Sequence, residues 1–250
     1  MFNPFDPARL AREDAIRDKF NAWVREGKSE GMERRHRRLA ELMFERFEFA
    51  PDDRVLDIGC GDGWTARMLS AQLLEGAVVG IDVSDEMIRE ARRLSGDLDN
   101  VLFAPAPAEQ IPWAEDYFSR IISIESAYYW PAPEQVAKEM FRVATYGGTF
   151  HLLFNFYTEN QYSHEWPTSM ELSMQLKSAA EWVELFEMQG FQHVLAEQIP
   201  DDSPIPDSKQ GRERELREGL QREGALYVTG SKPALPPQMQ PPPDPLRVLN

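Results

Sequence analysis

Cysteine is almost absent from this chain of 250 residues, since Cys60 is the single one. One thiol excludes an intramolecular disulfide and fits a reducing compartment. Histidine is also scarce, and its four positions lack metal-ligand spacing, so we expect no metal site. Cys60 lies between two glycines, where a small side chain fits a crowded bend, and we interpret it as structural rather than as a nucleophile.

Basic residues and long apolar runs are the other deficits. The chain has 27 Lys and Arg against 42 Asp and Glu, a formal net charge of −15. Such a surface repels phosphate backbones, which disfavours nucleic acid as a partner. No run approaches the ~18 apolar residues of a membrane-spanning helix, and the N-terminus lacks the apolar core of a secretory signal. We therefore expect a cytoplasmic protein without a membrane span.

The residues that are present suit one large α/β domain, because 42% are hydrophobic and 11% are aromatic. Val55–Ile58 is a short apolar run with an acid inside it, Asp57, which is typical of a buried parallel strand. Glycines 59, 61 and 63 then permit a tight turn, and a helix is predicted from Trp64. A strand, a glycine turn and a helix in that order predict a nucleotide-type site in a doubly wound sheet.

The next strand indicates which nucleotide-type ligand is bound. It is predicted over Ala77–Ile81 and ends at Asp82, nineteen residues past Gly63, where a carboxylate can bind ribose hydroxyls. The glycine spacing is G-x-G-x-G rather than the G-x-G-x-x-G of dinucleotide sites.

These two stretches, Val55–Gly63 and Val79–Ser84, resemble the signature of the class I S-adenosylmethionine (SAM)-dependent methyltransferases. The resemblance is to their type 11 branch, which includes quinone-biosynthesis enzymes, and it covers about residues 50–200. It implies a doubly wound, mostly parallel sheet of seven strands, with SAM as cofactor and S-adenosylhomocysteine (SAH) as product. The cofactor-binding residues that it and the pattern together indicate are Asp57, Gly59, Cys60, Gly61, Gly63, Asp82, Val83, Ala108, Glu109 and Glu125.

One position departs from the family pattern. Members usually have Gly-Asp-Ala-Glu-x-Leu-Pro-Phe after the third strand, and here Ala108 to Trp113 follow that pattern while Pro107 replaces the acid. In relatives this acid helps to hold the adenine amino group. Proline has no N–H and no polar side chain. We therefore expect adenine contacts from the Ala108 backbone or from a neighbouring residue.

The methyl acceptor is expected beside the ends of the fourth and fifth strands. Tyr128, Tyr162 and His164 are the candidate acceptor-pocket residues, and Tyr129, Glu125 and His36 are further candidates for a base. A structural role is the alternative for each of them, as pocket wall, core or capping residue.

The resemblance and the composition divide the chain into three parts. Residues 1–50 are predicted to form an N-terminal helical cap, and residues 51–232 the methyltransferase domain, with a charged insertion at 200–224 that we expect to be an exposed helix. The arginine-rich run 34–38 is either a solvated helix face or a source of cations for SAM or an anionic acceptor. Residues 233–250 are a proline-rich tail, predicted to be extended and to pack on the domain or on a second subunit in a homo-oligomer.

The resulting hypothesis is methyl transfer to a small-molecule acceptor by in-line displacement. Two alternatives remain at this level. The first alternative is a catalytically silent module that binds SAM or another protein. The second is a nicotinamide-dependent dehydrogenase.

Overall fold

The computed structural model describes residues 2–235, and within them seven strands form one sheet. In chain order, β1 to β7 span Arg54–Ile58, Ala77–Asp82, Val101–Pro105, Phe118–Ile124, Ala144–Phe154, Gln192–Ile199 and Ala225–Ser231. Their order in the sheet is β3-β2-β1-β4-β5-β7-β6. The first five strands pair in parallel, and β7 is antiparallel to both β5 and β6. The predicted doubly wound, mostly parallel sheet of seven strands is confirmed.

Eight α-helices surround the sheet in the described part of the chain. In chain order, α1 to α8 span Pro7–Arg25, Met32–Phe44, Trp64–Ser70, Asp85–Leu94, Pro133–Val143, Trp166–Met170, Ala179–Glu187 and Gly211–Glu223. Residues of α5 and α7 pack with Leu56 and Ile58 of β1 on one face, whereas α3 and α4 pack with Val55 on the other. Side chains that alternate along β1 are therefore covered by helices on both faces of the sheet, as a buried parallel strand requires.

The N-terminal helix α1 is fixed onto the connection between β2 and α4. Its N-cap Asp6 accepts a hydrogen bond from the Ala8 amide, with proline in the first turn. The Arg17 Nε donates to the Val83 carbonyl at 3.2 Å. Asn21 Oδ1 accepts from the Ser84 hydroxyl at 2.7 Å. These contacts place α1 across the carboxyl end of β2.

Two helices differ from the sequence prediction for local reasons. The apolar pattern of the sequence predicts a second helix to about residue 49 and one helix over 169–189. The second helix instead ends at Phe44, and the other region contains two separate helices, α6 and α7. The break lies at Glu171, whose φ of 54° ends α6 in a left-handed conformation. Ser178 and Glu181 then form a capping box that starts α7.

The charged helix α8 lies in the predicted insertion, and most of its residues are exposed, but its C-terminal end packs on the domain. Gly219 and Leu220 are buried. Asn160 Nδ2 donates to the Gly224 carbonyl at 3.2 Å, and Tyr157 donates its hydroxyl proton to the same oxygen at 3.1 Å. The segment after β5 thus holds the end of α8 against the domain.

Residues 236–250 lie outside the described part, so the extended tail and its homo-oligomer contact stay predictions. Among residues 2–235, no helix combines the length and the apolar character needed to cross a membrane.

Candidate active site

The glycine turn after β1 has the backbone that its sequence predicts. Gly59, Gly61 and Gly63 have φ values of 74°, 55° and 78°, a region that side chains disfavour. A Cβ on Gly59 would lie 2.4 Å from the Ser126 side chain, and one on Gly61 would lie 2.6 Å from Met32 Cε. The turn therefore leaves bare backbone facing α2 and the end of β4.

Asp82, at the end of β2, fastens this turn. Its Oδ2 accepts from the Gly61 amide at 3.0 Å and its Oδ1 from the Ser84 amide at 2.8 Å. Burial raises the pKa of Asp82 to about 6, although both hydrogen bonds oppose the shift. The carboxylate borders the same cavity as the glycine turn.

Asp57 is the least satisfied acid of the site. It is only 2% exposed, and its Oδ2 has no hydrogen-bond partner among the described residues. Burial, followed by the charge of Asp82, raises its pKa to about 8. A buried carboxylate oxygen without a partner is costly, so this site fits a ligand that brings a cation or a donor.

Glu125 follows β4 with a left-handed backbone, φ 55°, which is rare for a residue with a side chain. Its Oε2 accepts from the Tyr128 hydroxyl at 2.9 Å, and its Oε1 accepts from Asn155 through the backbone amide at 2.9 Å and Nδ2 at 2.7 Å. Burial raises its pKa to about 7. Backbone strain of about 1–3 kcal/mol is thus held in place by three hydrogen bonds.

These acids share one cavity of about 410 Å³. All the cofactor residues predicted from the sequence line it except Gly63, which lies against Phe103 beneath the turn. Pro107 also lines it. The sequence pattern therefore predicted residues that lie together at one cavity, and their contact with a cofactor stays a prediction.

Other walls come from two further elements, of which only α1 was predicted to lie near the site, as part of the N-terminal helical cap. Helix α1 contributes Ile16, Phe20 and Trp23, and helix α8 contributes Arg217 and Leu220. The stripe of α1 was visible as an apolar face at helical spacing. No local signal in the charged α8 indicated a role here.

Only one of the three predicted acceptor residues faces this cavity. Tyr128 lines it, together with Tyr129 and His36 from the wider set of base candidates. Burial and the neighbouring Arg35 lower the pKa of His36 to about 4, so its imidazole is neutral at pH 7.

Tyr162 and His164 lie elsewhere. The Tyr162 hydroxyl accepts from Arg222 Nη2 at 2.7 Å, beside Gly219 of α8. His164 Nε2 lies 3.2 Å from the Tyr157 carbonyl. Neither residue borders the cavity, and their contacts hold the segment after β5 to itself and to α8.

The fold and this acid-lined glycine cavity define a nucleotide-type site of the methyltransferase kind, and comparison with known proteins agrees. Residues 56–152 match the model of the type 11 methyltransferase domain family. A chain from the complex between the Haloferax volcanii Trm112 methyltransferase activator and a methyltransferase has a TM-score of 0.79 and 32% identity to this chain. That match covers 86% of this chain and 97% of the other. The chain belongs to the class I SAM-dependent methyltransferases of the type 11 kind, and SAM is its cofactor.

Two further relatives match over part of their length. Methyltransferase GfsG of Streptomyces halstedii is 39% identical over 118 residues, which are 44% of this chain and 41% of that protein. The chloroplastic 2-methyl-6-phytyl-1,4-hydroquinone methyltransferase of Arabidopsis thaliana is 28% identical over 191 residues, 74% of this chain and 50% of that protein. The chain thus spans about half the length of these relatives or less. The alternative of a nicotinamide-dependent dehydrogenase is not consistent with membership of this methyltransferase family.

Proposed function

We propose that this chain transfers a methyl group to a small-molecule acceptor by in-line displacement. SAM supplies, when bound, a methyl group already activated on a sulfonium. The observation that carries the proposal is the cavity itself, which is lined both by the acids Asp57 and Asp82 and by the aromatic side chains of Phe20, Trp23 and Tyr128. Positioning in such an enclosure lowers a reaction barrier by up to about 7–11 kcal/mol.

Two acids and one arginine of the cavity are suited to bind different groups of SAM. Asp57 and Asp82 would meet the positive charge and the ribose hydroxyls of SAM. Arg35 lines the cavity and forms no ion pair with a carboxylate in residues 2–235, its Nη2 donating instead to the Lys28 carbonyl at 3.3 Å. Burial and then Arg34 lower the pKa of Arg35, as expected for a cation whose charge is not neutralised. It is suited to hold the methionine carboxylate.

At the acceptor end, Tyr128 and Glu125 form a path for a proton. An acceptor hydroxyl must lose its proton when its oxygen is methylated. The Tyr128 hydroxyl can take that proton while giving its own to Glu125 Oε2, to which it already donates. A carboxyl whose pKa is about 7 is well matched to this task near neutral pH.

The test is methyl transfer from SAM labelled in its methyl group to fractionated small-molecule extracts. We expect label in a small-molecule product and its loss in Gly61→Val, whose side chain would enter the space beside Met32. Label recovered only on protein, or equal transfer by Gly61→Val, contradicts the proposal.

We also propose a protein partner, on a separate observation. Strand β3 is an edge of the sheet, and the elements around it carry four exposed leucines, with Leu74 81% and Leu102 55% exposed and Leu94 and Leu98 less so. Exposed leucines beside the outer edge of an edge strand are typical of a surface that a second protein covers. The Haloferax volcanii chain described above was solved with the Trm112 methyltransferase activator, so a protein of that type is the occupant we propose.

Co-expression with such an activator tests this second proposal. We expect a stable one-to-one complex that Leu102→Lys disrupts, while Leu195→Lys at the opposite edge strand β6 leaves it intact. Absence of a complex with the unaltered chain, or equal loss with both variants, contradicts it.

A further inference from the structure

The end of β3 lacks the acid that would hold the adenine amino group, since proline stands at position 107. A different acid borders the same place. We propose that Glu13 of α1 binds the exocyclic amino group of the adenine of SAM. This inference rests on SAM as the cofactor and is independent of what the methyl acceptor is.

The position of Glu13 follows from how α1 crosses the sheet. Glu13 and Pro107 both line the cavity described above, and both also line a second hollow at the N-terminus of α1. One turn further along the helix, Arg17 Nε donates to the Val83 carbonyl, directly after the ribose-side acid Asp82. Helix α1 therefore lies across the carboxyl end of β2, and its Glu13 shares two hollows with Pro107, which follows β3.

The side chain of Glu13 is held rigidly and keeps room for a ligand. It is only 7% exposed, and its two oxygens accept from Arg9 Nη1 and Arg17 Nη2, each at 2.6 Å. A carboxylate has about four acceptor sites, so two guanidinium donors leave free lone pairs. An amino group that donates to a buried, pre-oriented carboxylate makes a strong hydrogen bond.

The other acid near Pro107 is Glu109, and one of its carboxylate oxygens already accepts a hydrogen bond from the protein. Glu109 Oε1 accepts from the Ala132 amide at 2.9 Å, at the start of α5. Burial raises the pKa of Glu109 and the charge of Glu13 adds to this, which places the two acids near each other. Glu109 is the rival residue, and its variant belongs in the test.

The chemistry of position 6 of the purine gives a selective readout. A carboxylate accepts from the 6-amino group of SAH but repels the 6-oxo group of S-inosylhomocysteine. We expect the unaltered chain to prefer SAH, with dissociation constants of both compounds measured by calorimetry. In Glu13→Gln the amide can donate to the oxo group, and the preference should fall by about ten- to a hundred-fold.

The ratio of the dissociation constants of S-inosylhomocysteine and SAH separates a direct contact with adenine from a structural effect of the substitution. Glu13→Gln also weakens the pairs with Arg9 and Arg17, which would lower both affinities together and leave the ratio unchanged. Asp14→Asn is the matched control, because Asp14 also pairs with Arg17 at 2.5 Å but its side chain is 63% exposed and outside the cavity. Its ratio should equal that of the unaltered chain.

Two results overturn the inference. An unchanged ratio in Glu13→Gln does so, and a fall found in Glu109→Gln instead assigns the role to Glu109. Failure of the unaltered chain to bind SAH at all would overturn the proposed function as well.

Discussion

At the scale of single residues, the site contains three acids, Asp57, Asp82 and Glu125, and none of them forms an ion pair within residues 2–235. Burial is the largest cause that raises the pKa of each, to about 8 for Asp57, 6 for Asp82 and 7 for Glu125. The family's cofactor carries a positive sulfonium. Binding of the cofactor and ionisation of these acids should therefore favour each other.

This coupling predicts that SAM affinity depends on pH. A bound cation stabilises the ionised acids, so binding at pH 6 releases protons, and affinity should rise between about pH 6 and pH 8. Calorimetry in two buffers of different ionisation enthalpy measures the released protons. SAH, which lacks the sulfonium charge, is the control and should show a weaker dependence. Equal slopes for both ligands would contradict the argument.

Asp57 should also lower the stability of the free protein at high pH. Its folded pKa of about 8 exceeds the ordinary value of 3.8, so the folded state binds more protons, and stability falls as pH rises between these values. Asp57→Asn should make the free protein more stable at pH 8 by about 1–3 kcal/mol and weaken SAM binding. Urea unfolding at pH 5 and pH 8 measures this. A variant less stable than the parent at pH 8 would count against it.

Tyr128 should matter for turnover rather than for cofactor affinity. Tyr128→Phe removes the hydroxyl that donates to Glu125, and loss of a proton path costs about 10² in rate. Tyr162→Phe is the matched control, since Tyr162 lies outside the cavity. Once an acceptor is known, kcat and the SAM dissociation constant are measured for both variants, and we expect only the kcat of Tyr128→Phe to fall. Similar turnover in the two would return Tyr128 to a structural role.

At the scale of elements, the sequence predicted what local patterns determine. The run of residues 55–63 specified β1, its turn and the start of α3, because a buried strand and glycines at positive φ are both local features. The apolar stripe of α1 predicted an amphipathic helix, although what it covers depends on distant parts of the chain, since Arg17 bonds to Val83 and Phe20 packs against Tyr129.

Helix α8 shows what local reasoning leaves out. Its composition indicates a solvated helix, yet Leu220 is buried and borders the cavity. The burial arises from contact with the segment near Asn160, some sixty residues earlier. A single sequence does not carry that long-range pairing. The same applies to Glu13, whose position opposite Pro107 follows only from how α1 crosses the sheet.

The packing of α8 predicts a local effect of truncating Leu220. Leu220→Ala should destabilise the helix by about 2–3 kcal/mol and raise amide hydrogen exchange in residues 211–223. Exchange in β1 and β2 should stay the same. Leu216→Ala, at a half-buried position of the same helix, should have a smaller effect. Equal exchange in both variants would show that α8 is not held by Leu220.

At the scale of the whole molecule, the chain combines a standard sheet with a cover made from distant segments. Helices α1 and α2 precede the sheet, α6 follows β5 and α8 precedes β7, and all of them contribute walls to one cavity. The sheet was predictable because the motifs at 55–63 and 79–84 specify it. The cover, which in our proposal encloses the acceptor, was predictable only as an N-terminal cap.

A crystal structure with bound SAH tests the central claim most directly, namely that the acid-lined glycine turn holds the cofactor and the cover encloses an acceptor. We predict the ribose on Asp82, the bare backbone of Gly61 against the ligand, and the sulfur facing Tyr128 and the aromatic walls. Ligand bound outside the cavity, or a sulfur turned away from Tyr128 toward closed protein, would contradict the account.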